Sequence, residues 1–167
     1  RRDRDEEAYR VLLKTPADSS VANSPEGWWS ERQTLTRDAL RDKRYQLPYD
    51  IASRHGLQSG GGFADAEFLS GWIALRFLNK PDVAHKHFQN LANGVSLPIS
   101  LARAYYWSGR SEEALQHPNE AIAQYRKAAQ NAETFRLMMS RSRLPSRRRH
   151  SSPDDRATPK CTRAELF

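Results

Sequence analysis

Hydrophobic residues recur every three to four positions along most of the chain, which is the spacing of one face of an α-helix. Prolines and glycines divide this pattern into seven segments, and no stretch alternates apolar and polar residues as a half-buried strand would. The connections are short, so successive helices are expected to pack as antiparallel neighbours. The predicted helices cover residues 3–14, 25–44, 48–56, 64–79, 82–94, 98–109 and 120–132.

One triplet of residues occurs twice, 37 positions apart. A small residue, an aromatic residue and a small or aliphatic residue share a helix face as Ala84, Phe88 and Leu91 and again as Ala121, Tyr125 and Ala128. This pattern is typical of the second helix in a helical-hairpin repeat, and tetratricopeptide repeats have a period of about 34 residues. The sequence therefore predicts an all-α superhelix of antiparallel hairpins. The alternative is two amphipathic helices that share a register by coincidence.

The positive charge of the chain is confined to its C-terminal part. Residues 1–135 carry 18 Lys and Arg against 17 Asp and Glu, whereas residues 136–167 carry nine basic residues against three acidic ones. This distribution argues against nucleic-acid binding by the helical part. From Arg136 onward arginine, serine and proline dominate, and Phe167 is the only aromatic residue. Residues 136–167 are therefore predicted to form a disordered basic tail.

Two interpretations of this tail stay open. GC-rich DNA read in the wrong frame tends to encode arginine, serine and proline, which favours a tail translated out of frame. A genuine basic tail would bind nucleic acid or anionic lipid by releasing counterions. The single cysteine, Cys161, lies in this segment and has no partner for a disulfide.

The polar residues of the helical part show no catalytic or metal-binding pattern. Four carboxylates are expected near helix starts, where the helix dipole favours negative charge: Asp65, Glu67, Glu112 and Glu113. His85 and His87 are two positions apart, so they face different directions on a helix. The other histidines lack ligand-like neighbours in sequence; these are His55, His117 and His150. No catalytic residue, cofactor or metal is predicted.

The aromatic residues offer one candidate for saccharide binding. Trp28 and Trp29 are adjacent, and adjacent helical residues point about 100° apart. One of the two rings is therefore expected to be exposed and able to stack on a sugar, although the alternative is that both belong to the core. No run approaches the roughly 20 apolar residues of a membrane-spanning helix, so no transmembrane segment is predicted.

Between Trp28 and Phe135 the sequence resembles the helical region of soluble lytic murein transglycosylases of the alphaproteobacterial type. The most specific segments are AEFLSGWIALRFL, followed by an alanine and a His-Phe pair, and LPISLARAYYWSGR. Further similarity lies in EGWWSERQTLTRDAL, YDIASRHGL and NAETF. The resemblance covers residues 1–135 and implies the α-superhelix that precedes the catalytic domain in this family.

The resemblance implies a parent enzyme of the periplasm that cleaves the peptidoglycan bond between N-acetylmuramic acid and N-acetylglucosamine and leaves a 1,6-anhydro end. The family's catalytic Glu-Ser motif and its Gly-Leu-Met-Gln turn do not occur in this sequence. The chain is therefore expected to be a truncated, inactive region of such an enzyme, and its start at Arg1 is expected for a processed chain or a fragment. The alternative is a tetratricopeptide-like module with a protein partner in its concave face.

Overall fold

The structure, a computed structural model, describes residues 2–14 and 25–142, and in that part of the chain all regular secondary structure is helical. The predicted all-α fold is confirmed there, with no strand. The part of the predicted basic tail from residue 143 onward, which includes Cys161, lies outside the described residues. Within the described residues seven helices follow one another: α1 (Arg2–Lys14), α2 (Pro25–Arg41), α3 (Gln46–Ala52), α4 (Gly60–Arg76), α5 (Pro81–Gly94), α6 (Pro98–Ala114) and α7 (Pro118–Ser142).

Three of the connections between the described helices contain a non-glycine residue in the left-handed conformation. Lys43, Asn79 and Gln116 have φ values of 58°, 53° and 64°, and they follow α2, α4 and α6. Such a residue turns the chain so that the next N–H groups can bond carbonyls of the last helical turn. After α6, for example, the His117 N–H donates to the Glu112 carbonyl at 2.9 Å. The three turns are 36 and 37 residues apart and lie inside the helix pairs α2–α3, α4–α5 and α6–α7, which therefore repeat with nearly equal length.

The helices pack in a linear order. Among the described residues, each helix contacts only its neighbours and the helices two places away along the chain. Within the α4–α5 pair the helices are antiparallel, because Phe63 near the start of α4 meets Gly94 at the end of α5. The next pair, α6–α7, is also antiparallel, since Gly109 late in α6 meets Tyr125 early in α7.

The residues of the repeated triplet face the core. Ala84, Phe88 and Leu91 are fully buried, and the prediction that they form the core face of α5 is confirmed. In α7 the two alanines of the triplet are buried as well, whereas Tyr125 is only partly buried. The two helices therefore use the same register, but only the first of them is fully enclosed.

Two glycine segments were expected to end or interrupt helices, and both expectations are wrong. Gly109 lies inside α6, buried against the ring of Tyr125, because a residue with no side chain allows the two helices to approach closely. Gly60–Gly62 were expected in a flexible turn, yet they form the first turn of α4. Only Gly60 needs its conformational freedom, with a φ of 86°.

The last helix extends further than the sequence pattern predicts. The pattern favours an end near Ala132 and a disordered tail from Arg136, but α7 continues to Ser142. The prediction of disorder is therefore wrong for residues 136–142, where Arg136 forms an ion pair with Glu133 one turn earlier, as close as 2.5 Å. For residues 143–167 it stays a prediction.

Helix α1 is held to the rest by a buried arginine. Arg32 on α2 is 2% exposed and donates to the carbonyls of Leu12 at 3.1 Å and Ile51 at 3.2 Å. The Leu12 carbonyl belongs to the last turn of α1, where it has no partner within the helix. Burial lowers the pKa of Arg32, and the nearby Arg54 lowers it further. One guanidinium group thus joins α1, α2 and α3.

Candidate functional site

The two tryptophans predicted to contact a saccharide lie in different environments. Trp29 is 5% exposed and packs with Ala52, Leu57 and Phe63, so its ring is a core element. Trp28 is half-buried and packs against the cluster that joins α1 to α2 and α3. Trp28 is therefore the ring that keeps an accessible surface, and its contact with a saccharide stays a prediction.

A polar cluster centres on the carboxylate of Glu67, which is only 6% exposed. His87 on α5 lies 2.6 Å from Glu67 Oε2 through its Nδ1 atom. His55, from the connection between α3 and α4, places its Nε2 atom 3.4 Å from Glu67 Oε1. Asn90, one turn beyond His87, donates to the same Oε1 at 3.3 Å. Two separate elements, α5 and the α3–α4 connection, thus direct three N–H groups at one buried carboxylate.

The second nitrogen of each histidine is also occupied. The backbone N–H of Leu57 donates to His55 Nδ1 at 3.0 Å, which leaves Nε2 as the nitrogen that carries the proton towards Glu67. The Nε2 atom of His87 lies 3.2 Å from the hydroxyl of Tyr49. The ring of His55 is also held edge-on by Trp29, 6.3 Å away between centroids. Both imidazole rings are therefore fixed in orientation.

These contacts keep Glu67 ionised. Burial alone raises the pKa of a carboxyl group, but hydrogen bonds from His55 and His87, together with the charges of those rings, lower the pKa of Glu67 to about 2. A general acid at neutral pH needs a pKa raised towards neutrality. Glu67 has the opposite shift, so the cluster serves as an anchor for fixed donors and not as a proton source.

An open groove of about 730 Å³ borders this cluster. It is lined by polar groups and by one edge of the core, including Ser53, Gln58, Asn90 and Asn93. Its floor is formed in part by the side chains of His55 and Glu67. We refer to it as the Glu67 groove. Amide groups around a fixed carboxylate can bind a polar molecule, but the ionised Glu67 supplies no acid catalysis.

A second buried glutamate has a similar arrangement and contacts α5 two residues before His87, at His85. Glu112, near the end of α6, is 8% exposed and lies 2.9 Å from His117 Nδ1. His85 on α5 places its Nδ1 atom 3.2 Å from the other carboxylate oxygen of Glu112, but the two atoms are not aligned for a hydrogen bond. The Nε2 atom of His85 faces the amide of Gln89 at 2.6 Å. This cluster joins α5 to α6 and to the turn that leads into α7.

Sequence analysis predicted neither cluster. Glu67 and Glu112 were expected near helix starts, but Glu67 lies in the second turn of α4 and Glu112 in the last turn of α6. The helices bring together histidines that are far apart in sequence. A partial signal existed, because Glu67 and Asn90 are about equally far from the turn at Asn79 and must meet in an antiparallel pair. Within residues 2–14 and 25–142 no group of His, Cys, Asp and Glu is arranged to hold a metal ion.

A second groove lies between α6 and α7 and is mostly apolar. It has a volume of about 840 Å³ and is lined by aromatic, small and, at one end, charged residues: Ala102, Tyr106, Arg110, Glu113, Tyr125, Ala128, Ala129 and Ala132. We call it the α6–α7 groove. Burial and a hydrogen bond with Glu113 raise the pKa of Tyr125 to about 12, so its phenol stays protonated.

Comparison with known proteins gives no family for the chain. No protein-family model matches it, and no match is found among curated proteins or solved structures. In the part of the chain that the structure describes, no helix has the length and apolar character needed to cross a membrane.

Proposed function

We propose that residues 1–135 are the non-catalytic superhelical region of a soluble lytic murein transglycosylase, built from tetratricopeptide-like hairpins. The observation that carries the proposal is the repeated helix pair, with left-handed turn residues at Lys43, Asn79 and Gln116. Their spacing of 36 and 37 residues is close to the period of about 34 residues in tetratricopeptide repeats. The repeat falls within the stretch whose sequence resembles that family.

Linear packing supports a superhelix. In repeat proteins each unit contacts only its neighbours, so stability is the sum of local terms and the array has no single centre. The described helices follow this rule, since none contacts another more than two places away. Glycines occur where paired helices approach closely, at Gly71 against Phe88 and at Gly109 against Tyr125.

The chain itself is proposed to be inactive. The sequence lacks the Glu-Ser motif of the family, and Glu67, a buried carboxylate with two histidine partners, has a pKa of about 2. Cleavage of a glycosidic bond needs a carboxyl group that is protonated when it meets the leaving oxygen. The proposed role is therefore binding and positioning at the murein layer in the periplasm.

Sedimentation with purified murein sacculi tests this function. The full chain is expected to be retained in the pellet and to give no clearing on a gel that contains murein. Trp28→Ala is expected to reduce retention, whereas Trp72→Ala, a change of another half-buried tryptophan on α4, is expected to leave it unchanged. Circular dichroism checks that both variants stay folded. A chain that stays in the supernatant contradicts murein binding, and clearing of the gel contradicts the proposed inactivity.

A second candidate function is a protein-interaction module of the tetratricopeptide type. The α6–α7 groove favours it, because apolar residues line an open surface of the size that binding sites commonly have. This candidate predicts that the chain binds a polypeptide and ignores murein. The same sedimentation experiment separates the two functions, because a module that binds only polypeptides stays in the supernatant.

A further inference from the structure

The Glu67 groove carries a negative charge at its floor. Glu67 is buried and ionised, and it lines the groove together with His55, Asn90, Asn93 and Gly94. Helix α5 ends at Gly94, and the last carbonyl groups of a helix carry partial negative charge. Among the described residues that line this groove, none is a lysine or an arginine. The lining therefore attracts a cation and supplies neither an ammonium nor a guanidinium group.

The histidines that contact Glu67 are hydrogen-bonded in their neutral forms. The Nδ1 atom of His55 accepts a hydrogen bond from the Leu57 N–H, so this ring carries a single proton. Burial raises the pKa of Tyr49, so its phenol keeps a proton that His87 Nε2, 3.2 Å away, can accept. The ring charges that lower the pKa of Glu67 arise in acid, where imidazole binds a second proton. With neutral rings, Glu67 is the one full charge of the cluster.

The Glu67 carboxylate has room for one more hydrogen bond. A carboxylate offers about four acceptor positions, two on each oxygen. Oε1 faces His55 at 3.4 Å and Asn90 at 3.3 Å, whereas Oε2 faces His87 at 2.6 Å. One position is left, on Oε2. A guanidinium group binds a carboxylate best through two parallel N–H groups, whereas an ammonium group needs a single acceptor. The remaining position therefore suits an ammonium group.

The helix pairs α4–α5 and α6–α7 can be aligned residue by residue. The buried serines that precede the two ring-facing glycines, Ser70 and Ser108, set an offset of 38 between α4 and α6. The rings that meet those glycines, Phe88 and Tyr125, set an offset of 37 between α5 and α7. Each position of the Glu67 cluster therefore has an equivalent in the second pair.

The second pair has an ammonium group of its own at the equivalent place. Glu67 and Asn90 correspond to Tyr105 and Lys127 at these offsets. The ammonium group of Lys127 lies 5.5 Å above the Tyr105 ring. The repeat thus places a cation of the chain at this position in the second pair. In the first pair the same position holds a neutral amide beside an ionised carboxylate.

From these observations we infer that the Glu67 groove binds a small molecule that carries a primary ammonium group. The ammonium group lies against Glu67, and polar groups of the same molecule bind the side-chain amides of Gln58, Asn90 and Asn93. The groove volume of about 730 Å³ is of the size that small-molecule sites commonly have. The inference rests on the charges of this groove and not on the resemblance to murein enzymes, so either proposal can fail without the other.

The probe is 6-aminohexanamide, which joins an ammonium group to an amide. It is added to the isotope-labelled full chain at about pH 7.5, and nuclear magnetic resonance follows the side-chain amides of Asn90 and Asn93 and the backbone N–H groups of Leu57 and Gly94. We expect saturable shifts centred on these groups. Hexanamide, which lacks the charge, is expected to bind at least about tenfold more weakly. The guanidino analogue of the probe is expected to bind about threefold more weakly, because a single acceptor position is left for it.

The variant Asn90→Lys tests whether the ammonium group of the probe meets Glu67. It copies the lysine of the second pair, keeps an N–H donor for Glu67 and supplies an ammonium group from the chain itself. We expect it to weaken probe binding at least about tenfold. Gln130→Lys makes the same change of charge at an exposed position on α7 outside the groove, and it is expected to leave binding unchanged. Circular dichroism checks that both variants stay folded.

Four results would overturn the inference. The first is the absence of saturable shifts in the full chain. The second is equal affinity for hexanamide and 6-aminohexanamide, because the charge of Glu67 would then play no part. The third is equal binding of the probe by the Asn90→Lys and Gln130→Lys variants. The fourth is tighter binding of a blocked Ala-Lys-Ala tripeptide than of the probe, because the ammonium group would then come from a polypeptide and not from a small molecule.

Discussion

The helix pairs α4–α5 and α6–α7 have the same internal contacts but different surroundings. In both, a glycine of the first helix meets an aromatic ring of the second, Phe88 in one pair and Tyr125 in the other. The first pair is covered by α6, and its ring is an entirely apolar phenylalanine. The second ring borders an open groove, and it carries a hydroxyl that can reach water or Glu113. The position in the array, and not the contact itself, thus determines how apolar each side chain is.

The polar positions of the two pairs differ in the same way. Glu67 and Asn90 of the first pair correspond to Tyr105 and Lys127 of the second. The first two form a buried hydrogen bond, whereas the ammonium group of Lys127 lies 5.5 Å above the Tyr105 ring at the surface. The enclosed pair therefore holds an ionised carboxylate with fixed donors, and the open pair holds a solvent-accessible cation.

The largest expected difference between the pairs concerns their aromatic rings. Phe88→Ala removes a fully buried ring that contacts α4 and α6, and we expect a loss of about 4 kcal/mol in the free energy of unfolding. Tyr125→Ala removes a partly buried ring, and we expect a loss of about 1 to 2 kcal/mol. Urea denaturation measures both values. Equal losses would contradict the conclusion that only the first pair is enclosed.

The next effect concerns pH and is confined to the first pair. The pKa of Glu67 is about 2 in the folded chain against 4.5 for the ordinary carboxyl group, so its ionised form stabilises the fold. This stabilisation is complete above pH 4.5 and is lost as the pH falls through about 2. The stabilisation from Glu67 ionisation is about 3 kcal/mol for a pKa shift of that size.

Glu67→Gln tests this contribution. We expect the variant to be less stable than the parent chain at pH 7 and to lose less stability between pH 5 and 2, because its amide does not titrate. Lys127→Gln serves as the control, because Lys127 takes the place of Asn90 in the second pair. This variant should leave the dependence of stability on pH unchanged between pH 5 and 2. The same pH dependence in the parent and in Glu67→Gln would show that the carboxylate does not stabilise the fold.

The smallest effect concerns the two glycines. A Cβ atom at Gly71 would lie 2.8 Å from the ring of Phe88, and one at Gly109 would lie 2.5 Å from the ring of Tyr125. Phe88 is enclosed and cannot move, whereas Tyr125 can shift into the groove. We therefore expect Gly71→Ala to cost about 1 to 2 kcal/mol and Gly109→Ala to be close to neutral, since alanine also favours the helix.

Thermal unfolding of both glycine variants measures this difference. The test is informative because the distance between the added Cβ atom and the ring is shorter at Gly109 than at Gly71. A ranking by this distance alone predicts the larger loss of stability for Gly109→Ala. A larger loss of stability for Gly109→Ala would mean that Tyr125 is as firmly held as Phe88.

The parts of the fold that could be predicted from sequence depend on local chemistry. Prolines at the first helical position mark the starts of α2 and α6 correctly, at Pro25 and Pro98, because proline has no N–H to lose there. The periodic spacing of Ala84, Phe88 and Leu91 identifies the core face of α5, since a helix face is a property of spacing alone.

The parts that were missed depend on tertiary packing. Glycine allows both a turn and a close approach of two helices. Only the position of Tyr125 shows that Gly109 serves the close approach of α6 and α7. The partners of Glu67 come from residues 12 and 20 positions away, so no local pattern reveals that its pKa is lowered. The burial of Trp29 likewise depends on Phe63 from another helix.

Hydrogen exchange measured by mass spectrometry tests the central claim, which is that the helices pack in a linear order with an enclosed first pair and an open second pair. Because α5 lies between α4 and α6, its amides are expected to exchange at least about 100-fold more slowly than those of α7, whose contacts among the described residues are with α6 alone. Equal protection of α5 and α7 would contradict the claim, because something would then enclose α7 as fully as α4 and α6 enclose α5.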